Sequence, residues 1–316
     1  MKTNSIKVKI LTVVLISIVI SFSLLGFYNT KNSYNSQYVL IEKQELKLAE
    51  ENSRFIDAFL ESKIDIINAI ADELKDEVIT VDNEKVIDKF VLGKKSGKFV
   101  DVYIGFQKDG SLILSSKQVL TVEKDNYDAR KRPWYMDAVK KGKAGVSKPY
   151  VDVTTKKLVV SIYTPLMQNG QLTGVIGSDV FIDTIVDTIS NVKLDGMGLA
   201  YLLDEEGNII IHKDKKVLNK KDLLYKQIAN NKKLSFGEVS ENGVAKLLSY
   251  GTINTTNWKL IVKLDHDEIY KEINENVIQE IGLYILLLII ILVFIFYSLL
   301  KTLAPIKTVE EGFNYF

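Results

Sequence analysis

The chain of 316 residues has no cysteine and only two histidines, His212 and His266. Without cysteine there can be no disulfide, thiolate metal site, thiol nucleophile or lipidated cysteine anchor. Neither imidazole has His, Asp or Glu companions at metal-ligand spacing, so both are expected to be structural or solvated, with no metal and no other cofactor. A surplus of charge is missing too: 41 Lys and Arg face 40 Asp and Glu, a net charge of +1. That balance argues against a nucleic-acid partner. Paired acid–base groups within a convincing motif are also lacking, so no enzyme is expected.

Uninterrupted apolar sequence, by contrast, is plentiful. ILTVVLISIVISFSLLGFY begins at Ile10, after Lys2, Lys7 and Lys9, and IGLYILLLIIILVFIFYSLL fills 281–300 before Lys301. A hydrocarbon core about 30 Å thick needs about 20 helical residues, and both runs suffice. The first run has no small-x-small cleavage site after it and reads as an uncleaved anchor. Lysines before the first span and after the second place both termini in the cytoplasm. Residues of about 29–280 would then lie outside the plasma membrane.

After the first run, Ile56, Leu60, Ile64, Ile67, Ala71, Leu74 and Val78 recur at intervals of three and four, which predicts a helix with one apolar stripe. From residue 99 the period changes to that of strands. FVDVYIGFQKDGSLILSS reads as strand, turn and strand, and LVVSIYTPLMQNGQLTGVIGSDVFI repeats this around an Asn-Gly turn. GLAYLLDEEGNIIIHKD and AKLLSYGTINTTNWKLIVKLD do so again further on. This weak internal repeat predicts an α+β fold with two similar modules in series, each an antiparallel sheet flanked by helices. The Lys-rich stretch KKVLNKKDLLYKQIANNKKL between the later hairpins reads as helical.

Between the earlier hairpins lies DARKRPWY, residues 128–135. A surface loop accounts for its basic residues but rarely needs Trp. Taken singly, Arg132 suits a surface, Trp134 and Tyr135 a core, Tyr150 a strand and Asp152 a turn. Taken with Tyr127 and Asp179, they form a kit for a zwitterion. Arginine presents a planar fork of donors to a carboxylate, the indole adds an N–H and a wall, and an aspartate pairs with an ammonium. Asp179 stands in an apolar strand, where a carboxylate must be paired or exposed.

Tyr127, then Arg five residues on, Trp seven on and Tyr eight on, followed by Tyr150 and Asp179, resembles the signature of double-Cache (dCache) sensor domains. The likeness is to the amino-acid-binding subset of bacterial methyl-accepting chemotaxis proteins, and it covers roughly residues 30–280. It implies PAS-like Cache modules and a ligand that is an α-amino acid. Arg132 and Trp134, helped by Tyr127, would hold its carboxylate. Asp179 would take its ammonium, with Tyr150 and Asp152 beside it, and Tyr135 would support or line the pocket. Asp152 lies outside the six-residue signature. Arg130 and Lys131 would be solvated neighbours.

The resemblance also implies a division of the chain. Residues 1–9 would be a cytoplasmic N-terminus, 10–28 the first span and 29–78 a long stalk helix. A membrane-distal, ligand-binding module would occupy 79–190 and a membrane-proximal module 191–270. Residues 271–280 would connect to the second span, 281–300, and 301–316 would begin a HAMP-like linker. The expected assembly is a homodimer acting on cytoplasmic signalling partners through a C-terminal output region. The same sensor could serve a histidine kinase or a cyclic-dinucleotide enzyme, and a bitopic structural or adhesion protein would use the aromatics simply as core. One ligand per chain is expected in the distal module, with Tyr201, His212 and Tyr250 of the proximal module as core or surface residues.

Overall fold

The computed structural model describes residues 6–152, 155–193, 197–230 and 232–302. The expected HAMP-like linker at 301–316 thus lies almost wholly outside the described residues. Two compact units emerge, one spanning Gln44–Asp265 and the other combining Met1–Lys43 with His266–Phe316.

Helix α1 (Ile6–Glu73) runs unbroken and contributes to both units. The expected apolar stripe is real up to Leu74: Ile56, Leu60, Ile67, Ala71 and Leu74 are buried. The helix nevertheless ends at Glu73, not at residue 78, and Val78 is 75% exposed. Its four-residue spacing from Leu74 continues a helical pattern by coincidence, after the chain has already turned.

After α2 (Glu84–Gly97) come β1 (Val102–Phe106), β2 (Leu112–Leu114), β3 (Val119–Leu120), α3 (Val122–Asp125), α4 (Pro133–Lys141), β4 (Gly145–Val146) and β5 (Tyr150–Val151). The long hairpin of β6 (Leu158–Gln168) and β7 (Gln171–Phe181) closes the first module, the one expected to be membrane-distal. Its Asn169 and Gly170 both take the left-handed conformation that a two-residue hairpin turn requires. The resulting seven-stranded antiparallel sheet runs β3-β2-β1-β7-β6-β4, with β5 also paired to β6.

Helix α5 (Asp183–Ser190) leads to the second module, the one expected to be membrane-proximal: β8 (Leu199–Leu203), β9 (Ile209–Ile211), α6 (Tyr225–Ile228), β10 (Leu234–Glu241), β11 (Val244–Ile253) and β12 (Trp258–Asp265). These strands form a five-stranded antiparallel sheet in the order β10-β11-β12-β8-β9. The Lys-rich stretch is mostly loop, because Asp214 and Asp222 bend the backbone with side-chain caps and Asn219 takes a positive φ of 62°. The α+β fold with two antiparallel modules is the observed one.

Each sheet uses its two faces differently, as the period-2 alternation of strands dictates. Val102 and Ile104 of β1, and Ala200 and Leu202 of β8, join the core that also contains Ile56, Leu60 and Ile67 of α1. Tyr103 and Tyr201, the residues between, point to the opposite faces, each with its own aromatic cluster.

In the other unit, α7 (His266–Thr302) is continuous, so no break separates the expected connector from the second apolar run. Both α1 and α7 are long and apolar enough to cross a bilayer. Within this unit the Asn29 amide donates to the Tyr284 hydroxyl at 2.9 Å, and the Tyr34 hydroxyl donates to Asn274.

Candidate functional site

Pro133 determines how the basic stretch is presented. A residue before proline is pushed out of the helical region, and Arg132 is extended at φ −85° and ψ 144°. The proline then starts α4 at a position that needs no N–H donor. Arg132 is therefore the hinge between a short 3₁₀ turn (Ala129–Lys131) and a helix that buries Trp134, Tyr135 and Ala138. Gly105 of β1 permits this packing. A Cβ there would come within 2.6 Å of the Ala129 Cβ and 3.0 Å of the Trp134 ring.

Between α4, β1–β3 and β5–β7 lies a cavity of about 80 Å³, room for roughly five to eight water-sized groups. Six of the seven expected site residues line it: Tyr127, Arg132, Trp134, Tyr150, Asp152 and Asp179. Tyr135 does not. Its ring packs edge-on against Trp134 at 5.5 Å, and its hydroxyl donates to Gln107 Oε1 at 2.8 Å. The helix periodicity explains the difference, since neighbours on α4 point about 100° apart.

The carboxylate of Asp179 is organised asymmetrically. Its Oδ1 accepts from Ser161 at 2.6 Å, Tyr103 at 2.8 Å and Tyr150 at 3.1 Å. Among the described residues, Oδ2 accepts no hydrogen bond. Burial pushes the Asp179 pKa up to about 6 and nearby Asp152 adds to the rise, while the Ser161, Tyr103 and Tyr150 hydroxyls oppose it.

Tyr103 and Ser161 were not expected from sequence. Tyr103 reaches Asp179 because β1 pairs with β7 in a register that sets Tyr103 opposite Gly177. A Cβ on Gly177 would lie 2.3 Å from the tyrosine ring. The glycine two residues before Asp179 in GVIGSDV was the available clue. Asp101 was also missed: it lines the cavity, its Oδ1 accepting from the Val102 N–H and Ser115 while its Oδ2 stands 3.9 Å from Lys94.

At the Arg132 end, the guanidinium carbon sits 5.7 Å from the Tyr127 ring centroid, a cation–π contact. Among the described residues no carboxylate lies within ion-pair distance of Arg132. Burial drives the Tyr127 hydroxyl up to about 12, against the pull of Arg132. Arg130 behaves differently and is not simply a solvated neighbour. It is paired with Asp128 through Nε–Oδ1 at 2.9 Å and Nη2–Oδ2 at 3.0 Å, over the turn at Gly110. One arginine holds a loop in place, and the other faces the cavity with its fork of donors unspent among the described residues.

A Cache-domain family model (dCache_1) matches residues 33–273. The methyl-accepting chemotaxis protein McpG of Pseudomonas putida is 26% identical over 268 residues, 83% of this chain and 41% of that protein. PctB of Pseudomonas aeruginosa is 27% identical over 266 residues, with the same two shares. This chain thus spans about 41% of the length of those relatives. Among solved structures, the ligand-binding domain of PctB in complex with L-Arg superimposes with a TM-score of 0.60 at 25% identity, covering 73% of this chain and 97% of that one. The ligand-binding domain of the Pseudomonas fluorescens chemoreceptor CtaA in complex with L-alanine gives 0.56 at 25% identity, covering 70% and 95%. Two Cache modules in series, matched by one family model across both, establish that this chain belongs to the double-Cache sensor-domain family.

Proposed function

We propose that the distal cavity binds one α-amino acid and that its occupancy is signalled across the membrane for chemotaxis. Arg132, with the Trp134 indole and the Tyr127 hydroxyl, holds the carboxylate, and the open Oδ2 of Asp179 takes the ammonium. Tyr150 and Asp152 flank the ammonium, while Tyr135 supports the Trp134 wall from behind. The observation that carries this reading is the pair of unspent charges in one small cavity. Arg132 has no carboxylate partner among the described residues, and Asp179 keeps one oxygen free. A zwitterion is the ligand chemistry that satisfies both ends, because a charge desolvated without a partner is costly. Two solved neighbours are described as complexes with L-Arg and L-alanine, which adds support.

The two apolar helices cross the plasma membrane, with residues of about 29–280 outside and both termini in the cytoplasm. Residues 79–190 form the ligand-binding distal module and 191–270 the proximal one. Two such chains pair as a homodimer, and an output region beyond Phe316 addresses cytoplasmic signalling partners. Within Gln44–Asp265 a route for the signal begins at the ligand's ammonium partner. Ser161 donates to Asp179, the Ser161 N–H bonds the Ser147 Oγ at 2.9 Å, and neighbouring Lys148 reaches Asp204 of the β8–β9 turn at 2.9 Å. The proximal strand β12 then leads directly into α7. A ligand shifts such a relay only by its differential affinity for two arrangements.

Thermal-shift titration of the full chain in detergent against a panel of L-amino acids tests the proposal. At least one amino acid should raise the melting temperature, by mass action on the folded state. A panel with no effect, with binding instead of plain organic acids, would refute it.

A further inference from the structure

The cavity of the first module holds more acid than a zwitterion uses. Asp101, Asp152 and Asp179 line it, against the single cation of Arg132. Asp152 caps its own turn, with Oδ2 accepting from the Thr155 N–H at 2.5 Å. Asp101 enters the cavity through an irregularity at the start of β1. The Asp179 carbonyl accepts from the Val100 N–H at 2.8 Å, while the Asp179 N–H donates to the Asp101 carbonyl at 3.3 Å. Two residues thus face one, as in a β-bulge, a device that re-aims side chains next to binding sites. Val100 and Asp101 both line the cavity in consequence. Two carboxylates, Asp101 and Asp179, are left facing each other across neighbouring strands, where like charges repel.

The Asp101 carboxylate is fixed in position but not neutralised. Its Oδ1 accepts from the Val102 N–H at 2.8 Å and from the Ser115 hydroxyl at 2.5 Å. Its Oδ2 accepts no hydrogen bond among the described residues, and the side chain keeps 17% of its surface exposed. Lys94 of α2 stays 3.9 Å from that oxygen on a side chain that is 38% exposed and does not line the cavity. So long and exposed a pair contributes little. Beside the acid the wall is aliphatic: Leu114 stands opposite Tyr103, Leu112 opposite Leu120, and all three leucines line the cavity.

Resting on the amino-acid reading of this cavity, we propose a narrower ligand class: α-amino acids whose side chain ends in an ammonium, with Asp101 as the residue that selects them. Once Arg132 holds the α-carboxylate and Asp179 the α-ammonium, the side-chain methylenes run along Leu112 and Leu114. The terminal ammonium meets Asp101 Oδ2 and displaces Lys94 toward solvent. This second positive charge relieves the repulsion between the two facing carboxylates. A neutral side chain leaves that repulsion in place, and an acidic one adds to it.

Isothermal titration calorimetry of the full chain in detergent compares L-ornithine with L-norleucine, which carries a methyl group where ornithine has its ammonium. Ornithine should bind about tenfold or more tightly than norleucine, the effect of one hydrogen bond between charged groups, and L-glutamate more weakly than either. Asp101→Asn keeps an Oδ1 acceptor for Val102 and Ser115 but removes the charge. In it ornithine should fall to within about threefold of norleucine, whose own affinity stays within about threefold of the wild-type value. Should Asp101→Asn fail to fold, Lys94→Ala decides, because it removes only the competing cation: ornithine binding should tighten while norleucine stays within about twofold. Norleucine binding the wild type as tightly as ornithine overturns the proposal and leaves the amino-acid reading standing. An ornithine preference that persists in Asp101→Asn overturns it too. So does an absence of ornithine binding, and if no other amino acid binds either, the amino-acid reading falls with it.

Discussion

The Tyr103 hydroxyl donates to Oδ1 of Asp179 at 2.8 Å, joining residues 76 positions apart through the pairing of β1 with β7. Together with Ser161 and Tyr150 it saturates one carboxylate oxygen, and in the proposed complex the other is left for the ammonium. Tyr103→Phe removes one donor to the ionised form, so the Asp179 pKa should climb above its value of about 6. Amino-acid affinity at neutral pH should drop about fivefold, close to the worth of one hydrogen bond. The midpoint of the affinity–pH curve should move upward, a change that loss of packing alone would not cause.

Acid should release the ligand for the same reason. An ammonium needs Asp179 ionised, and the free site titrates at about pH 6. The affinity should be nearly flat above pH 7 and fall as pH drops through 6, with about a tenfold loss by pH 5 as the competent fraction shrinks. Calorimetry across that range is the measurement. Affinity unchanged down to pH 5 would mean that Asp179 does not face the ammonium.

Glu45 gives a pH effect of the opposite sign, on stability. It is wholly buried on α1, where its Oε2 accepts from Ser249 at 2.8 Å and its Oε1 has no partner among the described residues. Burial raises its pKa from 4.5 to about 7, against the Ser249 hydrogen bond. The folded state therefore favours the protonated form. The penalty is absent below pH 4.5, grows as pH rises and is complete above about 7, where it reaches about 3 kcal/mol. Glu45→Gln should raise the melting temperature by several degrees at pH 8 and by much less at pH 5.

Lys148 tests the relay rather than the site. It is half exposed at 50%, does not line the distal cavity, and pairs with the nearly inaccessible Asp204 of the other module. In a chimera carrying the signalling region of a relative such as PctB, Lys148→Ala should leave amino-acid affinity within about twofold. The maximal response to saturating ligand should fall. A full response with weakened binding would place Lys148 in recognition instead.

How far the sequence foretold this arrangement differs from element to element. The hairpin at Asn169–Gly170 and the apolar stripe of α1 are local patterns, and both were readable. β10 was missed although Asn242–Gly243, with φ of 52° and 84°, marks its turn into β11, because the Lys-rich stretch before it imitated a helix. At the site, the residues bearing charge beside aromatics were legible as a group. Tyr103 was not, since a tyrosine in an alternating strand looks like any other until register brings it opposite Gly177. The signature spacing picked Arg132 over Arg130, but it did not reveal what Arg130 does instead. The difference rests on Asp128, which caps the 3₁₀ turn and takes Arg130 out of play.

That difference supplies the most direct test of the central claim. Titration calorimetry with the best amino acid on Arg132→Ala and Arg130→Ala compares two losses of the same charge, two positions apart. Removing Arg132 should weaken binding by about 30-fold to several-thousand-fold, the effect of about 2–5 kcal/mol for a desolvated charge pair. Removing Arg130 should cost less than about threefold in affinity and instead lower the melting temperature, as its pairing with Asp128 is partly exposed. Equal losses in the two variants, or a larger loss for Arg130→Ala, would contradict the assignment of Arg132 as the carboxylate clamp.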